Sequence, residues 1–155
     1  MEFWNFDTPL GQLAVGEEDG KLVRLWLPGQ PLPRLMPHKT PLLERAERQL
    51  LEYCAGERQV FDLPLDPAGT EFQRKVWAAL GDISFGEVRS YADIARAVDC
   101  PKGFRAVGGA NAHNPLPILI PCHRVVGADG GLGGYVGGAE LKGALLELEG
   151  VKIPR

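Results

Sequence analysis

The sequence has few cysteines, no excess of positive charge and no long apolar run, and each shortage narrows the choice of function. Its 155 residues include three cysteines, without Cys-x-x-Cys spacing, so we expect no disulfide framework and a reducing, cytoplasmic setting. No apolar run is long enough to span a bilayer, and the first residues lack the basic-then-apolar order of a secretory signal. The three histidines show no ligand spacing with the cysteines, so we predict no metal site.

The charge is unevenly distributed along the chain. The formal net charge is −3, which by itself does not indicate nucleic-acid binding. Residues 1–69 carry 7 basic and 11 acidic residues, whereas residues 88–126 carry 5 basic and 2 acidic ones. A local basic surface can contact phosphates even on an acidic protein, although an ordinary solvated face explains the charges equally well.

The first part of the chain, residues 1–68, has the pattern of an α/β unit. Three short apolar runs are separated by turn residues, and Asp19 and Gly20 between two of them indicate a β-hairpin. A Pro-rich surface connection follows. A helix is then predicted over residues 42–55, ended by Gly56, and one face of it carries Leu42, Leu43, Ala46, Leu50 and Tyr53. An extended linker leads to a boundary near Gly69.

The second part, residues 69–155, has a helical pattern. Thr70 with Gln73, and Ser90 with Asp93, make two capping boxes that predict helix starts. The four-residue spacing of Phe72, Val76 and Leu80 predicts a buried face. Two short helices around the turn at residues 99–103 resemble a helix-turn-helix, a pattern that many helical hairpins share. A Gly-rich loop and a final helix ending at Gly150 complete this part.

Cys122 is the candidate nucleophile. Most free cysteines are small core residues, and that remains one interpretation. Three neighbours favour chemistry instead: His123 can supply a base, Pro121 fixes the backbone, and Arg124 adds positive charge that favours a thiolate. A thiolate is suited to displacement at an sp³ carbon. Glu149 is a candidate to orient the histidine.

Residues 114–125, which contain Pro-Cys-His-Arg, resemble the active-site signature of the methylated-DNA–protein-cysteine methyltransferases, also called O6-alkylguanine-DNA alkyltransferases. Further blocks are similar in the same order, namely residues 69–77, 90–95, 105–110, 134–138 and 145–150. The resemblance is strong over about residues 56–150 and looser at residues 8–11. It implies a ribonuclease-H-like N-terminal α/β lobe, and a helical C-terminal lobe with a winged-helix-like helix-turn-helix for DNA binding and alkyl acceptance.

The resemblance also implies a reaction and the residues that perform it. The alkyl group of O6-alkylguanine, and of O4-alkylthymine, moves irreversibly to Cys122 without a cofactor. His123 acts through a bound water and is oriented by Glu149, while Asn114 braces the active-site turn. Tyr91 lies near the base and its phosphate, and its hydroxyl can donate a proton to the departing guanine.

Double-stranded DNA is the partner that the resemblance implies, bound through the minor groove by a monomer with the damaged nucleotide flipped out. Arg105 fills the gap that the flipped nucleotide leaves in the base stack of the duplex. Gly108 and Gly109 keep the second helix slim enough for the groove, although close helix packing explains them too. The implied DNA contacts are Tyr91, Lys102, Arg105, Gly108, Gly109 and Arg124, and the base-pocket wall comprises Val125, Tyr135 and Val136.

Two positions depart from the family pattern. Phe104 stands where a small residue often precedes the arginine, and Val136 stands where a hydroxyl can occur. Three other functions remain as alternatives: a damage-sensing relative without the acceptor thiol, a cysteine hydrolase with a Cys-His-Glu triad, and a plain helix-turn-helix regulator. Cys122 argues against the first, and a stable alkyl adduct on it would separate repair from all three.

Overall fold

The computed structural model describes residues 1–127, 130–132 and 135–152. It divides into two compact units, Met1–Ala68 and Gly69–Arg155. Within the described residues, no helix combines the length and the hydropathy needed to cross a membrane. The predicted mixed α/β class is confirmed, with a sheet in the first unit and mainly helices in the second.

The first unit contains a three-stranded antiparallel sheet and one helix. Strands β1 (Glu2–Thr8), β2 (Gly11–Glu18) and β3 (Lys21–Trp26) lie in the order β1-β2-β3. Asp19 and Gly20 join β2 to β3 with φ values of 52° and 79°. Positive φ at both central positions is the requirement of the twisted two-residue hairpin that the sequence predicts.

Helix α1 (Pro41–Cys54) packs on this sheet. Of the predicted face, Leu42 is only half-buried, and Gln49 is buried although it is polar. The Gln49 amide exchanges two hydrogen bonds with the Asp62 backbone, at 3.1 and 2.9 Å, which satisfies its polar atoms. The predicted linker is also more ordered than expected, because Leu65 pairs in parallel with Leu22 of β3.

The second unit is built from helices α2 (Glu71–Gly81), α3 (Tyr91–Ala97), α4 (Phe104–Ala112) and α5 (Ala139–Leu148). Both predicted capping boxes are present, at α2 and α3. In α2 the side chains of Val76 and Leu80 are buried as predicted, but Phe72 is only half-buried. Trp77 is buried instead, and its indole Nε1 donates to the Ala110 carbonyl of α4 at 2.9 Å.

Two short strands bring the candidate chemistry to the start of the helix pair. Strand β4 (Arg89–Ser90) pairs in parallel with β5 (Val125–Val126), which directly follows a 3₁₀ turn, Cys122–Arg124. Ser90 is also the N-cap of α3. The first residue of α3, Tyr91, is therefore held near the segment that contains Cys122.

Candidate active site and nucleic-acid interface

A strained turn precedes Cys122. Ile118 has φ 73°, a left-handed conformation that costs a β-branched residue about 1–3 kcal/mol. The buried Asn114 amide donates to the Ile120 carbonyl at 2.9 Å and accepts from the Leu116 amide at 2.9 Å. The Ile120 amide also donates to the Leu116 carbonyl at 2.8 Å. These bonds hold the turn, and nothing in the sequence predicts a left-handed isoleucine.

Cys122 has an exposed fraction of 0%. Its amide donates to the Ile120 carbonyl at 2.7 Å, and its own carbonyl accepts from the Asn111 side chain at 3.3 Å. Burial raises the pKa of the thiol to about 11, opposed by hydrogen bonding from Asn114, by the charge of Lys142 and by hydrogen bonding from Tyr135. At neutral pH the group is therefore a thiol, and it needs a base before it can act as a nucleophile.

His123 and Glu149 form a buried pair beside this thiol. Because a carboxylate accepts, the imidazole Nε2 donates to Glu149 Oε2 at 2.7 Å, which leaves the lone pair on Nδ1 when the ring is neutral. Burial lowers the pKa of His123, and the hydrogen bond and charge of Glu149 oppose that shift. Nδ1 is buried and has no hydrogen-bond partner within the described residues. The pair is thus a neutral base with an open acceptor.

The predicted DNA contact and thiolate-stabilising role of Arg124 do not agree with its position. Its guanidinium is buried, donating from Nε and Nη2 to the Glu149 carboxylate at 2.8 and 3.1 Å. Nη1 donates to the Ile83 carbonyl at 2.6 Å. A cation held this way is not available to a phosphate or to the thiol, because its donors are taken up by Glu149 and Ile83. We assign Arg124 instead to positioning Glu149.

Lys142 is a buried cation whose charge favours the Cys122 thiolate, and the sequence interpretation missed it. It is fully buried in α5, where Nζ donates to the Val125 carbonyl at 2.6 Å. Burial lowers its pKa to about 8, opposed by the charge of Cys122. The helical spacing could have predicted that Lys142 is buried. It lies three, four and seven residues before Leu145, Leu146 and Glu149, and therefore on the same side of the helix. A lysine on a buried stripe is rarely without function.

The aromatic residues of the predicted pocket also approach Cys122. Tyr91 is half-buried, and its pKa is raised by burial and by the charge of Cys122. Tyr135 is close enough to the thiol to lower its pKa. Val125 is fully buried, whereas Val136 is exposed. Across the described ranges, no group of three or more His, Cys, Asp or Glu side chains is arranged for a metal ion.

The remaining predicted DNA contacts lie on a separate surface at α4. Lys102, Arg105 and Gly109 are exposed, and Gly108 is half-buried. A methyl group added at Gly108 or Gly109 would meet no atom of the described chain within 4 Å. Close packing inside the protein therefore does not explain these two glycines.

Comparison with known proteins identifies the family. The DNA-binding domain of 6-O-methylguanine DNA methyltransferase matches residues 71–151, and the ribonuclease-like domain of the same enzyme matches residues 5–67. The chain belongs to the O6-methylguanine DNA methyltransferase family. The predicted family, fold class and enzyme class are thereby confirmed, whereas the roles of individual residues stay predictions.

Relatives of this methyltransferase cover nearly the whole chain. The constitutive methylated-DNA–protein-cysteine methyltransferase of Bacillus subtilis is 50% identical over 151 residues, which is 92% of each chain. The Methanosarcina acetivorans methyltransferase is 44% identical, over 97% of this chain and 99% of the relative. A crystal structure of Mycobacterium tuberculosis OGT in complex with DNA aligns with a TM-score of 0.90 and 44% identity, over 96% of this chain and 92% of that one.

Proposed function

We propose that this methyltransferase repairs DNA by moving the alkyl group of O6-alkylguanine, and of O4-alkylthymine, to the sulfur of Cys122. The single observation that carries the assignment is the buried thiol, flanked by the His123–Glu149 pair and approached by Tyr91. Family membership favours this reaction over the hydrolase and the plain regulator. The thiol itself favours it over a damage sensor without an acceptor.

The step is a displacement at the alkyl carbon. The bond from Cys122 Sγ to that carbon forms while the bond from the carbon to guanine O6 breaks, and its electron pair stays with the base. The thiol proton passes to His123 Nδ1, through a water as the family resemblance implies, and Glu149 stabilises the resulting imidazolium. Because burial lowers the pKa of His123, the imidazole is neutral beforehand and ready to accept.

Tyr91 is the proposed proton donor to the departing base. Burial raises the pKa of its hydroxyl, and the negative charge of Cys122 raises it further when the thiolate forms, so the group stays protonated until the guanine gains charge. The Tyr91 proton goes to the guanine ring, and the proton gained by His123 restores the phenol by exchange with solvent. The products are guanine and S-alkyl Cys122.

The helix-turn-helix is the proposed DNA interface of a monomer. Lys102 contacts a phosphate, while Arg105 enters the stack where the flipped nucleotide was. The flipped base then lies against Val125, Tyr135 and Val136. The C-terminal unit, residues 69–155, carries all of these groups. The three free cysteines support a reducing compartment, and we propose the cytoplasm.

Counting transferred methyl groups tests the proposed function. The S-alkyl product is a thioether, which thiol exchange does not reverse, so we expect transfer to stop at one methyl group per protein molecule. Excess duplex carrying O6-methylguanine with a radiolabelled methyl group is mixed with a known amount of protein, and the adduct is located by mass spectrometry. Continued turnover would revive the hydrolase alternative, and no adduct would exclude repair.

Alanine at Gly108 or Gly109 should strengthen the fold and weaken DNA binding. An added methyl group meets no atom of the described chain, so the free energy of unfolding changes only through helix propensity, which favours alanine by about 0.8–1.0 kcal/mol. The same methyl group would make α4 wider where the proposed interface fits the groove. Urea unfolding and fluorescence anisotropy with a methylated duplex measure the two effects. Gly81→Ala is the matched control, since its methyl group is equally free of contacts. Unchanged affinity in both α4 variants would remove these glycines from the interface.

A further inference from the structure

Phe104 is a large aromatic side chain that the fold leaves exposed. It is the first residue of α4 and has an exposed fraction of 53%. In the part of the chain that the structure describes, it is the one aromatic side chain that is exposed rather than buried or half-buried. An aromatic ring is a large apolar surface, and leaving it in water forgoes the stabilisation that burial supplies.

Helical geometry places Phe104 on the border of the proposed DNA-binding face. Val107, Ala110 and Asn111 are the buried residues of α4, and at 100° per residue they define one side of the helix. Arg105 and Gly109 lie opposite them. Phe104 lies about 100° from Arg105 around the same helix and in the row of Gly108, one turn earlier.

The chemistry around Phe104 fits a polyanion. Residues 101–112 contain two cations, Lys102 and Arg105, and no acidic residue. Both cations are exposed. The surface also continues the α4 face, which lies within the matched DNA-binding domain, residues 71–151. A partner protein with an apolar patch has no such complementarity to these charges.

We propose that Phe104 is a second DNA-inserting side chain, whose ring enters the minor groove beside Arg105 and packs on the deoxyribose and base next to the lesion. The inference rests on the proposed function, because it takes the same helix face to be the DNA interface. Minor-groove proteins often use apolar wedges, phenylalanine among them, to unstack a base step. Here the wedge loosens the step from which the damaged nucleotide leaves, and Arg105 fills the gap. Phe104 touches no reacting atom, so it is a positioning residue.

The test compares two substrates in Phe104→Ser and Phe104→Leu variants. One substrate is a duplex with O6-methylguanine and a neighbouring 2-aminopurine, and the other is a free alkylguanine base, which needs no flipping. We expect Phe104→Ser to slow transfer from the duplex about 5- to 150-fold, the range produced by removing an aromatic ring that stacks on a base. The rate with the free base should not change. Leucine should restore part of the duplex rate, and the 2-aminopurine fluorescence gain on binding should fall in the same order.

Controls separate this inference from the proposed function. Val60→Ser alters another exposed apolar side chain, 75% exposed and in the first unit, and should leave both rates unchanged. If the wild-type protein fails to alkylate Cys122, the proposed function fails. If the wild-type protein transfers the methyl group normally and Phe104→Ser transfers it from the duplex at the same rate, Phe104 does not act as a wedge. Equal losses on both substrates would show a structural role, and reduced self-association in sedimentation with normal transfer would show a protein contact, so either result overturns the wedge.

Discussion

Cys122→Ala will move no methyl group from methylated duplex DNA, because the variant lacks the sulfur that lies beside the His123–Glu149 pair, the proposed base, and near Tyr91, the proposed proton donor. The loss should be complete rather than partial, since no other described thiol has a histidine–carboxylate pair beside it. Mass spectrometry after incubation with excess substrate should detect no adduct. DNA affinity by fluorescence anisotropy should remain close to that of the wild type, because the proposed contacts of α4 are intact.

Cys54→Ala and Cys100→Ala are the matched controls, and both should retain one methyl group per molecule. Cys54 lies in the first unit, where burial raises the pKa of its thiol and a hydrogen bond with the Thr8 side chain opposes that shift. Cys100 lies in the turn between α3 and α4, packed against Gly103. An adduct on either residue in the wild-type protein, or transfer that survives Cys122→Ala, would contradict the proposed function.

Local patterns were sufficient to predict much of the fold. The capping boxes at Thr70 and Ser90 need only residues three positions apart, and the Asp19-Gly20 turn needs only two neighbours with positive φ. Each depends on residues that are close in sequence, so it can be recognised without knowledge of the tertiary packing. The pairing of Leu65 with Leu22 joins residues far apart in sequence, and no local pattern indicates it.

The candidate site shows the same division between local and distant causes. The Pro-Cys-His-Arg motif indicated Cys122 as the candidate nucleophile, and the structure places Glu149 in hydrogen-bond contact with His123, as predicted. The burial of Arg124 and Lys142 was not predicted, since a charged side chain in a sequence is normally assigned to the surface. Burial also reverses the expectation for the thiol, because desolvation outweighs the nearby positive charge and raises the Cys122 pKa to about 11.

Glu149→Gln should be the most destabilising single change to the site, with an unfolding free energy lower by about 3–5 kcal/mol. The wild-type carboxylate accepts from His123 at 2.7 Å and twice from Arg124, at 2.8 and 3.1 Å, within the protein interior. Glutamine is neutral, so the Arg124 guanidinium stays buried without a counter-charge. Urea unfolding measures the loss as a lower midpoint, and Glu140→Gln, on the exposed start of the same helix, controls for removing a negative charge from α5.

A double-mutant cycle with Arg124→Met then separates stability from chemistry. Arg124→Met alone should also destabilise, but Glu149→Gln with Arg124→Met should cost less than the sum of the two, because it buries no unpaired charge. Methyl transfer should stay low even in this more stable double variant, since His123 still lacks the carboxylate that stabilises its protonated form. Additive losses would show that the two side chains do not form the buried pair described here. Normal transfer in the double variant would instead assign Glu149 to the fold alone, and His123 would then have to act as a base without it.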